Sequence, residues 1–328
     1  MQFKALLTTE NQGNYDTKLV TRHIDDLPQG DLLIAVSYSC LNYKDALSTS
    51  GHPGITKNFP HTPGVDAVGV VKESCSDKFK VGDSVIVTGH DFGMHTDGGL
   101  SEYIRVPAAW AIPLPAGLSP LQTMQLGTAG LTAGLSLLKL EAMGAKPGDN
   151  VLVTGATGGV GCLSVALLGK CGYKAIASSG KAQYSDKLIA LGASEVIDRK
   201  QLSEDSPKAL LKPRWQHAID CVGGDTLVNI FKTLAPGGSV AASGLVASAN
   251  INATVYPFIL RGINLLGIDS VGVSNDMRIA VWQRFANDWQ LDLPQGFVTE
   301  IGLEQAYAYI QRFKQGDIFG RIVVKIAA

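Results

Sequence analysis

Charged side chains are scarce in this chain of 328 residues. Asp, Glu, Lys and Arg make up 17% of it, and 28 basic residues nearly balance 29 acidic ones. A balanced charge gives no strong attraction to nucleic acid or to an anionic membrane surface, so we expect neither as a partner. No apolar run approaches the roughly 20 residues that a membrane-spanning helix needs, and the N-terminus lacks a signal-peptide pattern. We therefore expect a cytoplasmic protein.

Cysteine is also scarce, and its spacing does not match that of a metal site. Cys40, Cys75, Cys162, Cys171 and Cys221 are scattered, odd in number and without a C-x-x-C pair. This argues against a disulfide framework and against a structural zinc site. We expect most of them to be small buried residues.

The chain length and its patterning predict two domains. Residues 1 to about 122 contain short alternating segments (32–36, 67–71 and 84–87) that are separated by turn residues, as in a small β-rich domain. A segment with helical periodicity follows at residues 121–140.

The most informative stretch is a glycine-rich turn that follows the apolar strand 151–153. A helical segment, 160–172, and a second apolar strand, 174–178, come after it, so the whole predicts a βαβ unit. Glycines let the backbone approach a pyrophosphate, and the N-terminus of the helix stabilises the anion. The spacing is G-x-x-G-G-x-G, and the residues that we expect to bind phosphate are Gly155, Ala156, Thr157, Gly158, Gly159, Val160 and Gly161.

Alternating strands and helices continue beyond this unit. Strands are predicted at 217–222, 238–242 and 264–268, which indicates a doubly wound parallel sheet. A helix is predicted near 276–290, and the tail predicts a helix at 303–314 and a strand at 321–326 that returns to the first domain.

The residues after the second strand indicate which nicotinamide cofactor binds. Folds that bind NAD usually place Asp or Glu about 20 residues past the glycine motif, where the carboxylate accepts hydrogen bonds from the ribose 2′-hydroxyl. The corresponding window here contains Ser178, Ser179, Gly180 and Lys181 and no acid. Small hydroxyls and a cation suit a 2′-phosphate, and Arg199 could supply a second cation. NADPH is therefore favoured, although Lys181 and Arg199 could also be solvated surface charges.

Several motifs together resemble the medium-chain dehydrogenase/reductase superfamily over the whole chain. The motifs are Asn42-Tyr43-Lys44-Asp45, Pro63-Gly64-Val65-Asp66-Ala67-Val68-Gly69, Val81-Gly82-Asp83-Ser84-Val85, Gly98-Gly99-Leu100-Ser101-Glu102-Tyr103, Gly127-Thr128-Ala129-Gly130-Leu131-Thr132-Ala133, the glycine-rich turn, Leu191-Gly192-Ala193 and Gly320-Arg321. The first motif, the glycine-rich turn and Pro257-Phe258-Ile259-Leu260-Arg261 are similar to the quinone oxidoreductase branch, and within it to the acryloyl-CoA reductase subgroup. The resemblance implies an α/β fold: a GroES-like β-rich catalytic domain (1–122 and 296–328) and a Rossmann domain with a doubly wound parallel sheet (123–295).

The metal ligands of the zinc-dependent members of this superfamily are missing. Those enzymes have Gly-His-Glu where this chain has Gly64-Val65-Asp66, and valine cannot bind a metal. The 42–45 region replaces their first zinc-binding cysteine. His90 and His95 lie in a glycine-rich loop where we expect no metal. Without a Lewis acid to polarise a ketone, alcohol oxidation is disfavoured.

The remaining chemistry is hydride transfer to an electrophile that conjugation already activates. By resemblance, we expect NADPH-dependent reduction of acryloyl-CoA to propanoyl-CoA, with hydride transfer to the β-carbon and protonation at the α-carbon. An NADPH:quinone or general enone reductase is the first alternative, and a non-catalytic NADPH-binding protein is the second. The small-molecule substrate is accordingly an acyl-CoA thioester or a quinone, and a homodimer is expected from relatives.

The resemblance also assigns site residues. Asn42, Tyr43, Asp45 and Asp66 are expected near the nicotinamide. Tyr43 is the candidate for bonding the developing enolate, or it packs against the nicotinamide or ribose. Asp45 and Asp66 fix the architecture or cap backbone N–H groups. Further cofactor-binding candidates are Thr128, Thr132, Cys221, Val222, Gly244, Leu245, Leu266, Gly267, Ser270 and Arg321; a capping role competes for Thr128 and a structural role for Arg321.

Overall fold

The computed structural model describes residues 1–203 and 206–326. The chain forms two compact units. The first comprises Met1–Thr128, Val271–Asn287 and Gly296–Ala328, and the second comprises Ala129–Ser270 and Asp288–Gln295.

Strands and helices alternate mainly in the second unit, whereas the first is rich in strands. The strands are β1 (Gln2–Asn11), β2 (Asn14–His23), β3 (Leu32–Cys40), β4 (Asp66–Ser74), β5 (Ser84–Thr88), β6 (Tyr103–Val106), β7 (Ala111–Pro113), β8 (Asn150–Val153), β9 (Lys174–Ser179), β10 (Ala193–Asp198), β11 (Trp215–Asp220), β12 (Leu234–Ala242), β13 (Asn264–Gly267), β14 (Val298–Gly302) and β15 (Arg321–Lys325). The α-helices are α1 (Tyr43–Ser48), α2 (Pro120–Ala142), α3 (Gly159–Lys170), α4 (Ser185–Ala190), α5 (Gly224–Thr233), α6 (Tyr256–Arg261), α7 (Asn275–Ala286) and α8 (Ala306–Lys314).

The first unit is built on a sheet in the order β14-β15-β3-β4-β5-β7, with β6 also paired to β3. Strands β3 and β4 are antiparallel, with Ser39 opposite Ala67, so the end of β3 lies beside the start of β4. Strand β15 joins β3 on the other side, with Val323 opposite Cys40. This register places Cys40, Asp66 and the start of β15 next to one another, at the same end of three neighbouring strands. Alternating apolar side chains of these strands, such as Ile34 and Val85, form the core.

The second unit contains a parallel sheet in the order β10-β9-β8-β11-β12-β13. The central residues of these strands, 151–153 of β8, 175–177 of β9 and 218–219 of β11, are apolar because both faces of a parallel sheet are covered. Leu152, Ala218 and Val240 are fully buried on it, and Ile230 of α5 packs against the same core. Parallel strands place their carboxyl ends at one edge, which is where open α/β sheets bind ligands.

The predicted fold class is confirmed: a GroES-like sheet unit and a Rossmann-type parallel-sheet unit are both present. The strand before the glycine-rich turn, the helix after it and the second strand are present as β8, α3 and β9. The predicted helix 276–290 ends earlier, at Ala286, and the predicted helix 303–314 begins with a 3₁₀ turn. The helix predicted over 121–140 is interrupted at Gly127, whose φ of 53° and ψ of −154° are not helical.

One hairpin was not predicted. Strands β1 and β2 are joined by Gln12 and Gly13, both with positive φ (50° and 80°). This is the backbone that two-residue hairpins favour, but Gln stands where Asn or Asp is usual. Strand β2 is largely exposed and polar, so it lacks the apolar alternation that marks a strand in a sequence.

The division of the chain differs from the predicted boundaries at residues 123–128 and 271–287, which group with the first unit. Side-chain bonds of α7 explain the second difference. Arg278 Nη1 donates to the backbone oxygen of Thr88 at 3.0 Å, and Asn275 Nδ2 donates to that of Ala109 at 2.6 Å. Neither long-range bond follows from the local pattern of the helix.

Candidate active site

The Asp66 carboxylate is the centre of a buried cluster in the first unit. Its side chain is fully buried and accepts the Thr128 hydroxyl at 2.6 Å and the Thr128 backbone N–H at 2.9 Å. Asn42 Nδ2 donates to Asp66 at 2.8 Å, and Cys40 Sγ donates at 3.1 Å. A buried carboxylate is stabilised only when such donors replace its water. The cluster thus joins two predicted site residues, Asn42 and Thr128, through a third.

Arg321 completes this cluster and is itself buried. It donates to Cys40 Sγ at 3.0 Å and to the backbone oxygens of Gln125 at 3.0 Å and Leu41 at 3.4 Å. These contacts give Arg321 a structural role, which was the alternative to cofactor binding that its sequence context left open. They hold the end of β3 and the residues before Gly127 together.

Gly127 is required at this point by space as well as by its backbone. A Cβ there would lie 2.5 Å from Cys40 Sγ, 2.8 Å from Asp66 Oδ2 and 3.0 Å from Arg321 Nη2. Its positive φ is disfavoured for other residues. The interruption in α2 therefore directs the Thr128 N–H at Asp66.

Asp45 is a second buried carboxylate, in the first turn of α1. It accepts the Asn42 backbone N–H at 2.6 Å, as in a capping box, and the Val65 N–H at 3.3 Å. Burial raises the pKa of Asp45 to about 7, against the opposing effect of these backbone hydrogen bonds. Both carboxylates thus cap backbone N–H groups, which was one of the two roles that the sequence left open.

Tyr43, the first residue of α1, differs from its neighbours in being 48% exposed. Asn42 and Asp45 on either side are anchored, so the backbone that carries the Tyr43 ring is fixed while its side chain is accessible. A phenol in this state can donate a hydrogen bond to a bound molecule.

The donor set of this unit does not fit zinc. Val65 is apolar and buried, and burial raises the pKa of the Cys40 thiol well above its usual range, so Cys40 keeps its proton. Within residues 1–203 and 206–326, no group of three or more His, Cys, Asp or Glu side chains could hold a metal ion. His90 instead stacks on Trp110, with ring centroids 5.5 Å apart.

The glycine-rich turn of the second unit has the shape of a phosphate cradle. Gly155 has a φ of 60°, and a Cβ on Gly161 would lie 2.3 Å from the Gly155 carbonyl oxygen. Helix α3 begins at Gly159, and its N-cap residue is Gly158, which has no side chain to cap the first N–H groups. Its first N–H groups are therefore suited to an anion, so these residues fit the pyrophosphate of a dinucleotide.

The end of β9 and the residues that follow it combine small hydroxyls with two cations. Ser178 and Ser179 are buried, and the Lys181 N–H donates to Ser179 Oγ at 3.0 Å. The Arg199 side chain lies against Gly180, where a Cβ would be 2.5 Å from Arg199 Nε. Arg199 and Lys181 thus flank Gly180, an arrangement that fits the 2′-phosphate of NADP.

The other predicted cofactor residues lie mainly at the ends of the parallel strands. Cys221 and Val222 follow β11, Gly244 and Leu245 follow β12, and Leu266 and Gly267 end β13. Ser270 is buried beyond β13, and Thr132 is buried in α2. Burial raises the pKa of the Cys221 thiol to about 12.

Sequence reasoning missed two polar side chains at this edge. Asp220, the last residue of β11, is fully buried, and Thr154 Oγ1 donates to it at 2.6 Å. Asp220 ends β11 and Thr154 directly follows β8, so a polar residue at the end of an apolar run was the available signal. Cys40 was expected only to be a small buried residue, and its bonds to Asp66 and Arg321 depend on strand register.

Each of the two units contains a segment that matches a known protein family. Residues 28–116 match the alcohol dehydrogenase GroES-like domain, and residues 159–287 match the zinc-binding dehydrogenase family. The chain is 44% identical over 326 residues to Bacillus subtilis YhfP, provisionally named a quinone oxidoreductase, with 99% of each chain covered. It is 38% identical to the acrylyl-CoA reductase AcuI of Ruegeria pomeroyi, over 99% of this chain and all of the relative.

Solved structures of relatives contain nicotinamide cofactors. The structure of B. subtilis YhfP with NAD bound superimposes with a TM-score of 0.96, covering 99% of both chains. The Salmonella enterica YhdH oxidoreductase in complex with NADP is 39% identical and superimposes with a TM-score of 0.94 over the full length of both. No helix in the described part of the chain has the length and apolar character needed to cross a membrane.

Proposed function

Because the chain belongs to the medium-chain dehydrogenase/reductase superfamily, in its zinc-independent quinone oxidoreductase branch, we propose that it reduces an activated C=C bond with NADPH. The preferred substrate is acryloyl-CoA, which becomes propanoyl-CoA. The observation that carries the choice of cofactor is the end of β9, where Ser178 and Ser179 are buried and Arg199 lies beside the following Gly180. The preference for acryloyl-CoA is supported by the AcuI relative.

NADPH, when bound, supplies the hydride that the β-carbon of the unsaturated thioester accepts. The glycine-rich turn and the α3 N-terminus would hold the pyrophosphate, while Lys181 and Arg199 would hold the 2′-phosphate. Tyr43 donates a hydrogen bond to the thioester oxygen, on which negative charge develops. Protonation at the α-carbon then completes the reaction. Asn42, Asp45 and Asp66 fix the backbone around Tyr43.

A comparison of substrates tests this function directly. The loss of NADPH absorbance is followed with acryloyl-CoA and with 1,4-naphthoquinone, and propanoyl-CoA serves as the saturated control. We expect a higher kcat/KM with acryloyl-CoA and formation of propanoyl-CoA. A preference for naphthoquinone would support the quinone reductase instead. NADPH binding without turnover of either compound would support the non-catalytic alternative.

Replacing Lys181 by Ala is expected to weaken NADPH binding specifically. A partly exposed contact to the 2′-phosphate contributes on the order of 1–2 kcal/mol, which corresponds to about a tenfold higher Kd. The dissociation constants of NADPH and NADH are measured by fluorescence titration. NADH lacks the phosphate, so its Kd should not change. Lys174→Ala, at the other end of β9, is the matched control. Equal losses for both cofactors would contradict a contact to the 2′-phosphate.

Replacing Tyr43 by Phe tests its proposed hydrogen bond to the substrate. We expect the rate constant of hydride transfer, and kcat where that step limits it, to fall about tenfold, as for the loss of one hydrogen bond of about 1.4 kcal/mol. The Kd of NADPH should change little. The measurement is single-turnover NADPH oxidation, in which hydride transfer limits the rate. Tyr256→Phe, an exposed tyrosine on α6, is the control. An undiminished rate would remove Tyr43 from the mechanism and leave packing as its role.

A homodimer is proposed on the exposed edge of the second unit's sheet. Strand β13 ends the strand order, and its Leu265 is 40% exposed. Ile259 and Leu260 on the neighbouring α6 are still more exposed. An unpaired edge with apolar side chains beside it is suited to pairing with a second copy. Size-exclusion chromatography with light scattering measures the molar mass in solution. A monomer at micromolar concentration would contradict the proposal.

A further inference from the structure

One carboxylate of the second unit joins three loops at the carboxyl edge of the parallel sheet. Asp220 ends β11, between β8 and β12. Its Oδ1 accepts the Thr154 hydroxyl at 2.6 Å, and its Oδ2 accepts the Gly223 N–H at 2.8 Å. Its backbone oxygen accepts the Ser243 N–H at 2.9 Å. Asp220 therefore contacts the loops that follow β8, β11 and β12.

Thr154 links two of these loops through a single hydroxyl. It donates to Asp220 and accepts the Cys221 N–H at 3.0 Å, and its side chain is 1% exposed. The next residue is Gly155, where the glycine-rich turn begins. The position of that turn is thus coupled, through one oxygen atom, to the backbone after β11.

The loops that follow β11 and β12 are packed closely against each other. A Cβ on Gly244 would lie 2.1 Å from the Cys221 carbonyl oxygen, and one on Gly223 would lie 2.5 Å from that of Ser248. The Val222 carbonyl oxygen also accepts the Ala247 N–H at 2.9 Å. Loops that approach this closely share one arrangement, because packed backbone does not deform continuously.

Asp220 is a fully buried carboxylate. Burial raises the pKa of its carboxyl, against the effect of the hydrogen bonds from Thr154 and Gly223. Burying a carboxylate costs free energy unless hydrogen bonds replace its water. A role in fixing the position of the loops for binding would account for a carboxylate here.

We infer that Asp220 and Thr154 are positioning residues that hold the glycine-rich turn, the Cys221–Gly223 loop and the Ser243–Leu245 loop in the arrangement that binds NADPH. This inference rests on the proposed function, since these loops carry the residues assigned to the cofactor. Neither side chain needs to touch NADPH. Their contribution is that binding does not have to order three loops first.

Four variants of the full-length protein test the inference. Thr154→Val keeps the shape of the side chain and removes the hydroxyl, whereas Thr154→Ser keeps the hydroxyl. Asp220→Asn keeps the shape of the carboxylate and presents an N–H group to one of its two donors. Ser164→Ala on α3 is the matched control, because its hydroxyl is equally buried but has no hydrogen-bond partner among the described residues.

Two quantities are measured for each variant: the Kd of NADPH by fluorescence titration, and amide hydrogen exchange without cofactor. We expect Thr154→Val and Asp220→Asn to raise the Kd about tenfold, as for the loss of a buried hydrogen bond. Exchange should become faster in residues 154–158 and 221–224, but not in β8 or β11. Thr154→Ser and Ser164→Ala should resemble the wild-type protein in both measurements.

Three outcomes would overturn the inference, and they differ in what they say about the proposed function. A wild-type protein that does not bind NADPH overturns both, before any variant is made. Binding by wild type, with an unchanged Kd in Thr154→Val and Asp220→Asn, overturns the inference alone. A raised Kd with faster exchange throughout the second unit means that the residues stabilise the fold and do not position the loops.

Discussion

Gly161→Ala should abolish high-affinity NADPH binding, with a Kd about a hundredfold higher than that of the wild-type protein. The added Cβ would lie 2.3 Å from the Gly155 carbonyl oxygen and 2.8 Å from Ala156 Cα. Both are backbone atoms, so the clash cannot be relieved by turning a side chain. Overpacking of this kind costs about 1–3 kcal/mol, and here the strain falls on the phosphate-binding turn.

The measurement is a fluorescence titration with NADPH and, separately, with NADH. Both cofactors have a pyrophosphate, so both should lose affinity, in contrast to the selective effect expected for Lys181→Ala. Gly54→Ala is the control, because it meets only the end of the His52 side chain, at 3.1 Å, and lies in the first unit. Wild-type affinity in Gly161→Ala would contradict the assignment of this turn to the pyrophosphate.

Asp66→Ala should lower the free energy of unfolding by about 3–5 kcal/mol, the range for removing one member of a buried charged cluster. The substitution leaves the Thr128 N–H and hydroxyl and Asn42 Nδ2 without their acceptor. It also leaves the Arg321 guanidinium buried without the nearby carboxylate. Each of these groups then loses the carboxylate in a buried site.

Denaturant titration followed by circular dichroism measures this loss. Asp77→Ala, at an exposed position in the same unit, is the control and should change the free energy by less than about 0.5 kcal/mol. Asp66→Asn keeps an acceptor oxygen and should cost less than Asp66→Ala. A loss of under about 1 kcal/mol for Asp66→Ala would show that water enters and solvates the cluster, and it would contradict the architectural role of Asp66.

Much of the second unit could be predicted because its signals are contiguous. Strand β8, the glycine-rich turn, α3 and β9 are all encoded within residues 150–179, and backbone conformation there follows from the apolar pattern and from glycine. The lack of an acid after β9 is likewise visible in a short window. The hairpin of β1 and β2 was missed for the opposite reason, since its strands carry little apolar alternation.

The assignment of Tyr43, Lys181 and the other site residues to cofactor and substrate stays a prediction. The structure shows how exposed each of these residues is and which atoms it contacts. Tyr43 is accessible, whereas Arg321 is buried among carbonyl oxygens and the Cys40 thiol. Exposure and partners of this kind depend on the packing of distant segments, and a motif does not contain them.

The sequence by itself determined the fold class, the family and the phosphate-binding turn, because each is carried by neighbouring residues whose backbone preferences agree. Only the tertiary structure decided which polar side chains meet in the interior. Arg321 and Cys40 are 281 positions apart, and Thr154 and Asp220 are 66 apart. Their hydrogen bonds depend on strand order and register, which set the partners of a buried charge and are properties of the whole sheet.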